Sequence, residues 1–123
     1  MNLRLKRAYE AAAAEDGERF LVDRLWPRGV TKKELRLAGW LKDAAPSSGL
    51  RKWFGHDPAR WEEFRKRYLA ELESRPEALK PLHDSLATGA VTLVYGARDT
   101  EHNHAVVLRD FLLGHFGGSK RRR

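Results

Sequence analysis

Two short apolar segments limit the folds open to this chain: FLV at residues 20–22 and VTLVY at residues 91–95. The first is a continuous apolar run of the kind found in strands buried on both faces, and the second also predicts a strand. Polar residues follow each run directly, DRLWPRG after the first and GARDTEHNH after the second. If the two strands are parallel neighbours, their carboxyl ends share the edge where open α/β sheets bind ligands.

Helices are predicted between and after these strands. Thr31 and Glu34 form a capping box that starts a short helix, and Asp57 before Pro58 starts the clearest one. That helix carries one apolar stripe, formed by Trp61, Phe64, Tyr68, Leu69 and Leu72. A further helix turns Leu79, Leu82 and Leu86 inward and stops at Gly89. The last helix follows VTLVY, with its cap expected at Asp99 or Thr100.

The order of these elements predicts a single α/β domain over residues 1–116, with a small, largely parallel β-sheet flanked by helices. The alternating segment LRLKRAY adds a strand near the N-terminus. Two glycines and a basic run predict a disordered tail at residues 117–123. The net charge is +7, and removal of the four positive charges in residues 120–123 leaves +3, so the overall charge is weak evidence for nucleic-acid binding.

Composition removes several function classes. The chain has no cysteine, which excludes disulfides, thiolate catalysis and cysteine-ligated metals. No apolar run approaches the roughly 20 residues that span a bilayer, and the N-terminus shows no secretory signal. We therefore expect a cytoplasmic protein without a membrane partner.

An anion pocket is one interpretation of the polar residues after the strands. Arg24, Arg28 and Arg98 lie near strand ends, beside the helix start expected at Thr100. Arginine forks and helix-end N–H groups together suit a phosphate or a carboxylate. Tryptophans beside these charges have the shape to stack on a base, and the two in question are Trp26 and Trp53.

Acid–base chemistry is a second interpretation. His102 or His56 would serve as the base, with Asp99 or Asp23 as its partner, in a hydrolase that needs no metal. His104 is taken as a ligand-binding residue. Metal binding is not expected, because His102 and His104 would point about 200° apart on a helix. A cofactor is not expected either, since no glycine-rich phosphate loop of either common spacing is present.

A purely structural interpretation also accounts for much of this pattern. Asp99 or Thr100 serves as a helix cap, and Asp23 and Arg24 pair with Arg98 and Asp99 across the sheet end. His56 is equally well an ordinary loop histidine. For Trp26 taken alone, burial in the core is the favoured interpretation. The chain would then be an interaction module without a catalytic site.

Four spaced blocks of the sequence resemble a known family. LVDRLWPRG, LRKWFGHDP, WEEFRKRYLAEL and ARDTEHNHAVVL together resemble the YeaO-like proteins, the short branch of the bacterial family called domain of unknown function 488. The resemblance covers nearly the whole chain up to Phe116 and implies an α/β fold more than a reaction. We therefore expect a YeaO-like protein that binds a phosphate-bearing ligand, either a nucleotide or a nucleic acid, at the strand ends.

Overall fold

The structure, a computed structural model, describes residues 2–114. The helices and strands, in chain order, are β1 (Leu3–Arg7), β2 (Glu18–Leu21), α1 (Lys32–Leu35), β3 (Gly39–Trp40), α2 (Ser48–Phe54), α3 (Trp61–Glu73), α4 (Pro76–Leu86), β4 (Val91–Tyr95) and α5 (His104–Leu113). Short 3-10 turns occur at Ala14–Asp16, Lys42–Ala44 and Pro58–Arg60. The predicted tail, residues 117–123, lies outside the described residues.

The four strands form one parallel sheet in the order β1-β4-β2-β3, which confirms the predicted α/β fold. Val91 of β4 lies opposite Leu3 on one side and Glu18 on the other. β2 and β4 are therefore parallel neighbours, and their carboxyl ends share one edge. The sequence did not predict β3, because two residues are too few to show a strand period.

Side chains alternate between the two faces of the sheet. Phe20, Leu93 and Tyr95 pack against buried residues of the four longer helices in the main core. Leu21 and Val94 point to the other face, where Leu35 of α1 and partly buried tryptophans cover them. Because both faces are covered, β4 is buried along its whole length, as its apolar sequence requires.

The predicted helix faces agree with the burial pattern. Phe64, Tyr68 and Leu72 of α3 are buried, as are Leu79 and Leu82 of α4. Two predicted helix caps are also confirmed. The Thr31 hydroxyl accepts a hydrogen bond from the Glu34 backbone N–H at 3.1 Å, and the Asp57 carboxylate accepts one from the Ala59 N–H at 3.0 Å.

The predicted start of the last helix is wrong. The cap of α5 is Asn103, whose side-chain oxygen accepts a hydrogen bond from the Val106 N–H at 3.1 Å. Asp99 instead closes a separate turn, since its Oδ1 accepts hydrogen bonds from the N–H groups of Glu101 and His102 at 2.9 and 2.8 Å. The helix begins at His104, four residues later than expected at Thr100.

A buried charge network crosses the face of the sheet opposite the longer helices. The Asp16 carboxylate, fully buried, contacts the Arg19 guanidinium at 2.6 Å and the Lys6 ammonium at 3.0 Å. Burial alone would raise the pKa of Asp16, but hydrogen bonds from the Ala13 N–H, Lys6 and Arg19 outweigh it and lower that pKa. The network therefore depends on Asp16 being ionised.

Among residues 2–114, no helix has both the length and the apolar character needed to cross a membrane.

Candidate functional site

A cavity of about 280 Å3 opens at the carboxyl ends of β2 and β4. Its wall includes the segment that follows β2, from Asp23 to Pro27, and Gly96 and Ala97, which follow β4. Residues of α2, α3 and α5 complete it. The aromatic rings of the lining are those of Tyr9, Trp26, Phe54 and Phe64, together with the imidazoles of His56 and His104. The cavity thus lies at the sheet edge where parallel α/β folds place their ligands.

Asp23 is held on two sides by neighbouring strands. Its Oδ2 accepts a hydrogen bond from the Gly96 N–H at 2.9 Å, directly after β4. Its main-chain oxygen accepts another from the indole N–H of Trp40, in β3, at 2.7 Å. A Cβ at Gly96 would lie 3.1 Å from the Asp23 carboxylate, so this approach favours glycine. The carboxylate is therefore fixed in the cavity wall.

The other oxygen of Asp23 has no hydrogen-bond partner within residues 2–114 and is buried. The His104 Nε2 lies 3.0 Å from this Oδ1, but hydrogen-bonding geometry is met with the main-chain oxygen of Val22, 2.9 Å away. Because both neighbours are acceptors, Nε2 must carry the proton. This carboxylate oxygen is therefore enclosed by the protein, beside the His104 ring.

Two arginines in the lining keep much of their donor capacity. Arg24 reaches the main-chain oxygens of Pro46 and Ala45 at 3.3 and 3.5 Å, beyond the usual 2.7–3.2 Å range. The guanidinium group of Arg51, exposed on α2, makes no hydrogen bond or ion pair with any described residue. Both guanidinium groups are thus available to an anion.

His56 joins these arginines in the lining. Its backbone has φ of +58°, in the left-handed region, directly after Gly55 with φ of +53°. Its ring is exposed and lies 6.0 Å from that of Phe54. This tight turn after α2 carries the imidazole to the cavity.

Asp99 and His102 form a pair outside the lining. The His102 Nδ1 lies 3.1 Å from Asp99 Oδ2, and the His102 ring meets Trp61 edge-on at 5.3 Å. Hydrogen bonds from the backbone N–H of His102, and then of Glu101, lower the pKa of Asp99. Both side chains are partly exposed, and the contact belongs to the turn before α5.

The structure thus divides the predicted site residues into two groups. Those that line the cavity are Asp23, Arg24, Trp26, His56 and His104. Those that lie outside its lining are Arg28, Arg98, Asp99 and His102. The exposed side chains of Arg28 and Arg98 make no ion pair with any residue from 2 to 114.

Trp53 also lies outside the lining, and it has other partners. Arg60 and Arg67 lie over its ring, with 5.3 and 4.4 Å from each guanidinium carbon to the ring centroid. Trp26 does line the cavity, but its indole N–H donates to the Val30 oxygen at 2.6 Å and its ring packs on Trp40. Of the two predicted stacking residues, only Trp26 is placed to meet a ligand.

Sequence reasoning missed Arg51, Phe54 and Phe64 as lining residues. Phe54 and Phe64 have the pattern of core residues, and both are indeed buried while still bordering the cavity. Arg51 precedes Phe54 by three residues, about one helical turn, and precedes His56 by five. That spacing, a cation and a histidine flanking a core phenylalanine, was the signal available.

The lining carries polar side chains of several kinds. Its side chains include no serine or threonine hydroxyl, and the chain has no cysteine. Within residues 2–114, no group of three or more histidines and carboxylates is arranged to hold a metal ion. The polar groups of the lining are two guanidinium groups, one carboxylate, an asparagine amide, two imidazoles, the Tyr9 hydroxyl and the Trp26 indole N–H.

Comparisons with known proteins place the chain in a family. The family model described as "Inactive DUF488-N3 subclade" matches residues 2–122. The uncharacterized protein YeaO of Escherichia coli K12 is 46% identical over 112 residues, which cover 91% of this chain and 97% of YeaO. Uncharacterized proteins of Mycobacterium bovis and Mycobacterium tuberculosis are each 42% identical, over 91% of this chain and 94% of theirs.

No solved structure matches the chain with significance. The resemblance seen in the four sequence blocks is nevertheless confirmed by a match over almost the full length. The chain belongs to the YeaO-like proteins of the DUF488 family.

Proposed function

We propose that the cavity binds a small phosphate-bearing ligand of the mononucleotide class and does not transform it. The observation that carries the proposal is the pair Arg24 and Arg51, two guanidinium groups in one lining whose donors the protein leaves largely unused. Arginine forks match the geometry of phosphate oxygens and bind them through paired hydrogen bonds.

No close carboxylate neutralises the charge of Arg24. Its nearest carboxylate is that of Asp43, at 3.9 Å, and the Asp43 side chain is 83% exposed. An exposed pair at that distance contributes little, because water screens it. The Arg24 side chain itself is 26% exposed, so its charge acts in a less polar setting than a surface arginine.

Shape supports a single nucleotide over a nucleic-acid strand. The volume of about 280 Å3 lies just below the usual range for ligand sites, about 300–1,000 Å3. Aromatic rings in the lining offer faces for a base. A strand would need an open groove with successive stacking platforms, whereas this cavity accommodates one unit.

Binding without catalysis fits the polar groups of the lining better than hydrolysis does. The Nε2 proton of His104 is directed to the Val22 oxygen, and the hydroxyl of Tyr9, which lines the cavity, donates to the main-chain oxygen of Arg28. The Asp99–His102 pair, the geometry expected of a His/Asp hydrolase, lies outside it. The matching family model also carries the description "Inactive". The cytoplasmic location expected from the sequence stays a prediction.

Calorimetric titration tests the proposal. AMP, GMP, CMP and UMP are compared with their nucleosides, with inorganic phosphate and with a short single-stranded oligonucleotide. We expect at least one mononucleotide to bind, and its nucleoside to bind about 10-fold more weakly or worse. Binding of the oligonucleotide alone would favour the nucleic-acid alternative and overturn the proposal.

Variants then locate the site. Arg51→Ala removes an exposed side chain that makes no hydrogen bond or ion pair with other described residues. We therefore expect the fold to persist while nucleotide affinity falls about 10-fold. Lys52→Ala is the matched control, because Lys52 is the next residue of α2, is exposed and does not line the cavity. Equal affinities for the two variants would place the phosphate elsewhere.

A further inference from the structure

We infer that the cavity recognises the base of its ligand by stacking on Tyr9 and not by hydrogen bonds to the edge of the base. The site therefore accepts nucleotides of all four common bases and rejects sugar phosphates, which have no aromatic ring. This selectivity rests on the proposed function, because it takes the phosphate to lie on Arg24 and Arg51.

Tyr9 offers a ring that is fixed in place and still open to a ligand. Its hydroxyl donates to the main-chain oxygen of Arg28 at 3.0 Å. The guanidinium carbon of Arg7 lies over the ring, 5.0 Å from its centroid, and Arg7 is itself held by the main-chain oxygen of Ala97 at 2.8 Å. Arg7 covers one face, yet Tyr9 is 50% exposed, so the surface that stays open is mainly the opposite face.

The larger rings elsewhere in the lining are less open to a base. Phe54 and Phe64 are buried and stack on each other, with 4.3 Å between their ring centroids. Trp26 packs edge-on against Trp40, and its indole N–H is bonded to the main chain. Tyr9 is therefore the residue of the lining that best presents a free ring face.

Exposed apolar surface gathers at this cavity. Among residues 2–114, the large apolar side chains that are exposed are Leu25, at 61%, and Tyr9, and both line the cavity. Scattered exposed apolar residues need no explanation, whereas those that share one cavity indicate a binding surface. A base that stacks on Tyr9 beside Leu25 removes this surface from water.

The groups that could read the edge of a base are already engaged within the protein. The side-chain amide of Asn103 donates to a main-chain oxygen at 2.8 Å and accepts from a backbone N–H at 3.1 Å. The Nε2 proton of His104 and the indole N–H of Trp26 also go to main-chain oxygens. Of the Asp23 carboxylate, one oxygen accepts from Gly96 and the other is enclosed. Stacking, which every base provides, is the recognition that remains.

The polar groups of the lining that stay largely free are those of Arg24, Arg51 and His56. Tyr9 follows β1 and Arg24 follows β2, and β4 lies between these strands. The two strands are thus separated by two strand spacings, about 10 Å. A base on Tyr9 and a phosphate on Arg24 can therefore belong to one nucleotide, with its ribose between them.

Calorimetric titration of the unmodified protein tests the selectivity. The ligands are AMP, GMP, CMP, UMP and ribose 5-phosphate. We expect the affinities of the four nucleotides to lie within about 10-fold of one another, and ribose 5-phosphate to bind at least about 10-fold more weakly than the best of them. A wider spread among the nucleotides would reveal hydrogen bonds to the base edge, and a smaller loss for ribose 5-phosphate would show that the base is not bound. Either result overturns the inference.

Tyr9→Leu identifies the residue responsible, because it keeps an apolar side chain and removes the ring. We expect the ratio of nucleotide to ribose 5-phosphate affinity to fall to about 3-fold or less. Tyr9→Phe keeps the ring and should keep the ratio. Trp53→Leu is the matched control, since Trp53 also lies beneath arginine side chains but outside the lining. An unchanged ratio in Tyr9→Leu, or an equal loss in Tyr9→Phe, would refute stacking on Tyr9.

Tyr9 also borders a second cavity, of about 560 Å3, whose lining includes the exposed cations Lys33 and Arg36. Arg36→Ala shows on which side of Tyr9 the nucleotide lies. We expect it to keep nucleotide affinity within about 2-fold, whereas Arg51→Ala loses affinity. A loss for Arg36→Ala alone would place the ligand in the second cavity and overturn the inference together with the proposed function.

The two proposals can also fail separately. If Arg51→Ala weakens nucleotide binding and ribose 5-phosphate binds as well as the nucleotides do, the phosphate site stands and the stacking on Tyr9 is refuted. If no mononucleotide binds more tightly than its nucleoside, the proposed function fails, and the inference fails with it. Circular dichroism and melting check that each variant folds, and the comparison of ligands on the unmodified protein needs no variant.

Discussion

The side chains of Asp23 and His104 meet at the edge of the sheet, with 3.0 Å between Oδ1 and Nε2, although 80 residues separate them in the sequence. One follows β2 and the other begins α5, after β4. The contact brings together the two polar clusters that follow the apolar strands. It does so through His104 and Gly96, whereas the sequence had suggested Arg98 or Asp99 as the meeting points.

His104 should contribute to stability as well as to the cavity. His104→Ala removes the hydrogen bond to the oxygen of Val22, a residue that is fully buried. We expect a loss of about 1–3 kcal/mol in the free energy of unfolding, measured by urea denaturation. His83→Ala, an exposed histidine of α4, is the control and should change it by less than about 0.5 kcal/mol. Equal losses would mean that the Val22 contact is energetically unimportant.

Asp16 should make stability depend on acid pH. Because the pKa of Asp16 is lowered in the folded state, its contribution is fully present above the unfolded pKa and is lost as the pH falls through the folded value. At pH 7 we expect Asp16→Asn to cost about 3 kcal/mol, since it leaves Arg19 buried without its partner.

The difference between the Asp16→Asn variant and the unmodified protein should shrink as the pH falls below about 4. Asp84→Asn, which breaks an exposed pair with Lys80, is the control and should cost less than about 1 kcal/mol. Urea denaturation between pH 7 and pH 3 measures both. A gap for Asp16→Asn that stays constant over this range would contradict the prediction.

Gly17 should not tolerate a side chain. Its φ is +65°, and an added Cβ would lie 2.1 Å from the main-chain oxygen of Ala90. We expect Gly17→Ala to destabilise the protein by about 2 kcal/mol or more, because both backbone strain and a clash oppose it. Gly89→Ala faces open space and should be close to neutral. Thermal melting of the two variants is sufficient to separate them.

Arg98 and His102 should be dispensable for ligand binding. Both lie outside the cavity lining, so Arg98→Ala and His102→Gln should retain nucleotide affinity within about 2-fold. Arg51→Ala, tested in parallel, should lose nucleotide affinity. If the unmodified protein instead hydrolyses the nucleotide, and His102→Gln slows this hydrolysis about 100-fold with affinity kept, the Asp99–His102 pair would be a catalytic base.

The basic residues 120–123 lie beyond the described part of the chain, and their role stays a prediction from the sequence. We expect their deletion to leave the melting temperature unchanged. If they contact phosphates of a nucleic acid, the deletion should also reduce the salt dependence of that binding. Binding isotherms at several salt concentrations, with and without the four residues, measure this effect.

The fold was largely predictable because its signals are local. The apolar runs at residues 20–22 and 91–95 predict buried strands, and the caps at Thr31 and Asp57 are set by residues two or three positions away. The start of α5 was not predictable in this way, since Asp99, Thr100 and Asn103 all have capping side chains. With Asn103 as the cap, His104 at the first position of the helix contacts the main-chain oxygen of Val22. This contact joins residues far apart in the sequence, so no local pattern reports it.

The cavity was predictable only on the side formed by the strand ends. Asp23 and Arg24 follow from the rule that parallel strands expose their carboxyl ends at one edge. Arg51 comes from α2, and its place in the lining depends on how that helix packs against the sheet. No pattern in the sequence reports this packing, because Leu50 and Phe54 predict only that one face of α2 is buried.

The central place of β4 sets the order in which the protein can assemble during synthesis. β1 and β2 have no pairing with each other, and each is hydrogen-bonded to β4. A nascent chain that has reached residue 90 can form only the two-residue pairing of β2 with β3. The rest of the sheet, and the cavity at its strand ends, can therefore form only after residues 91–95 are available.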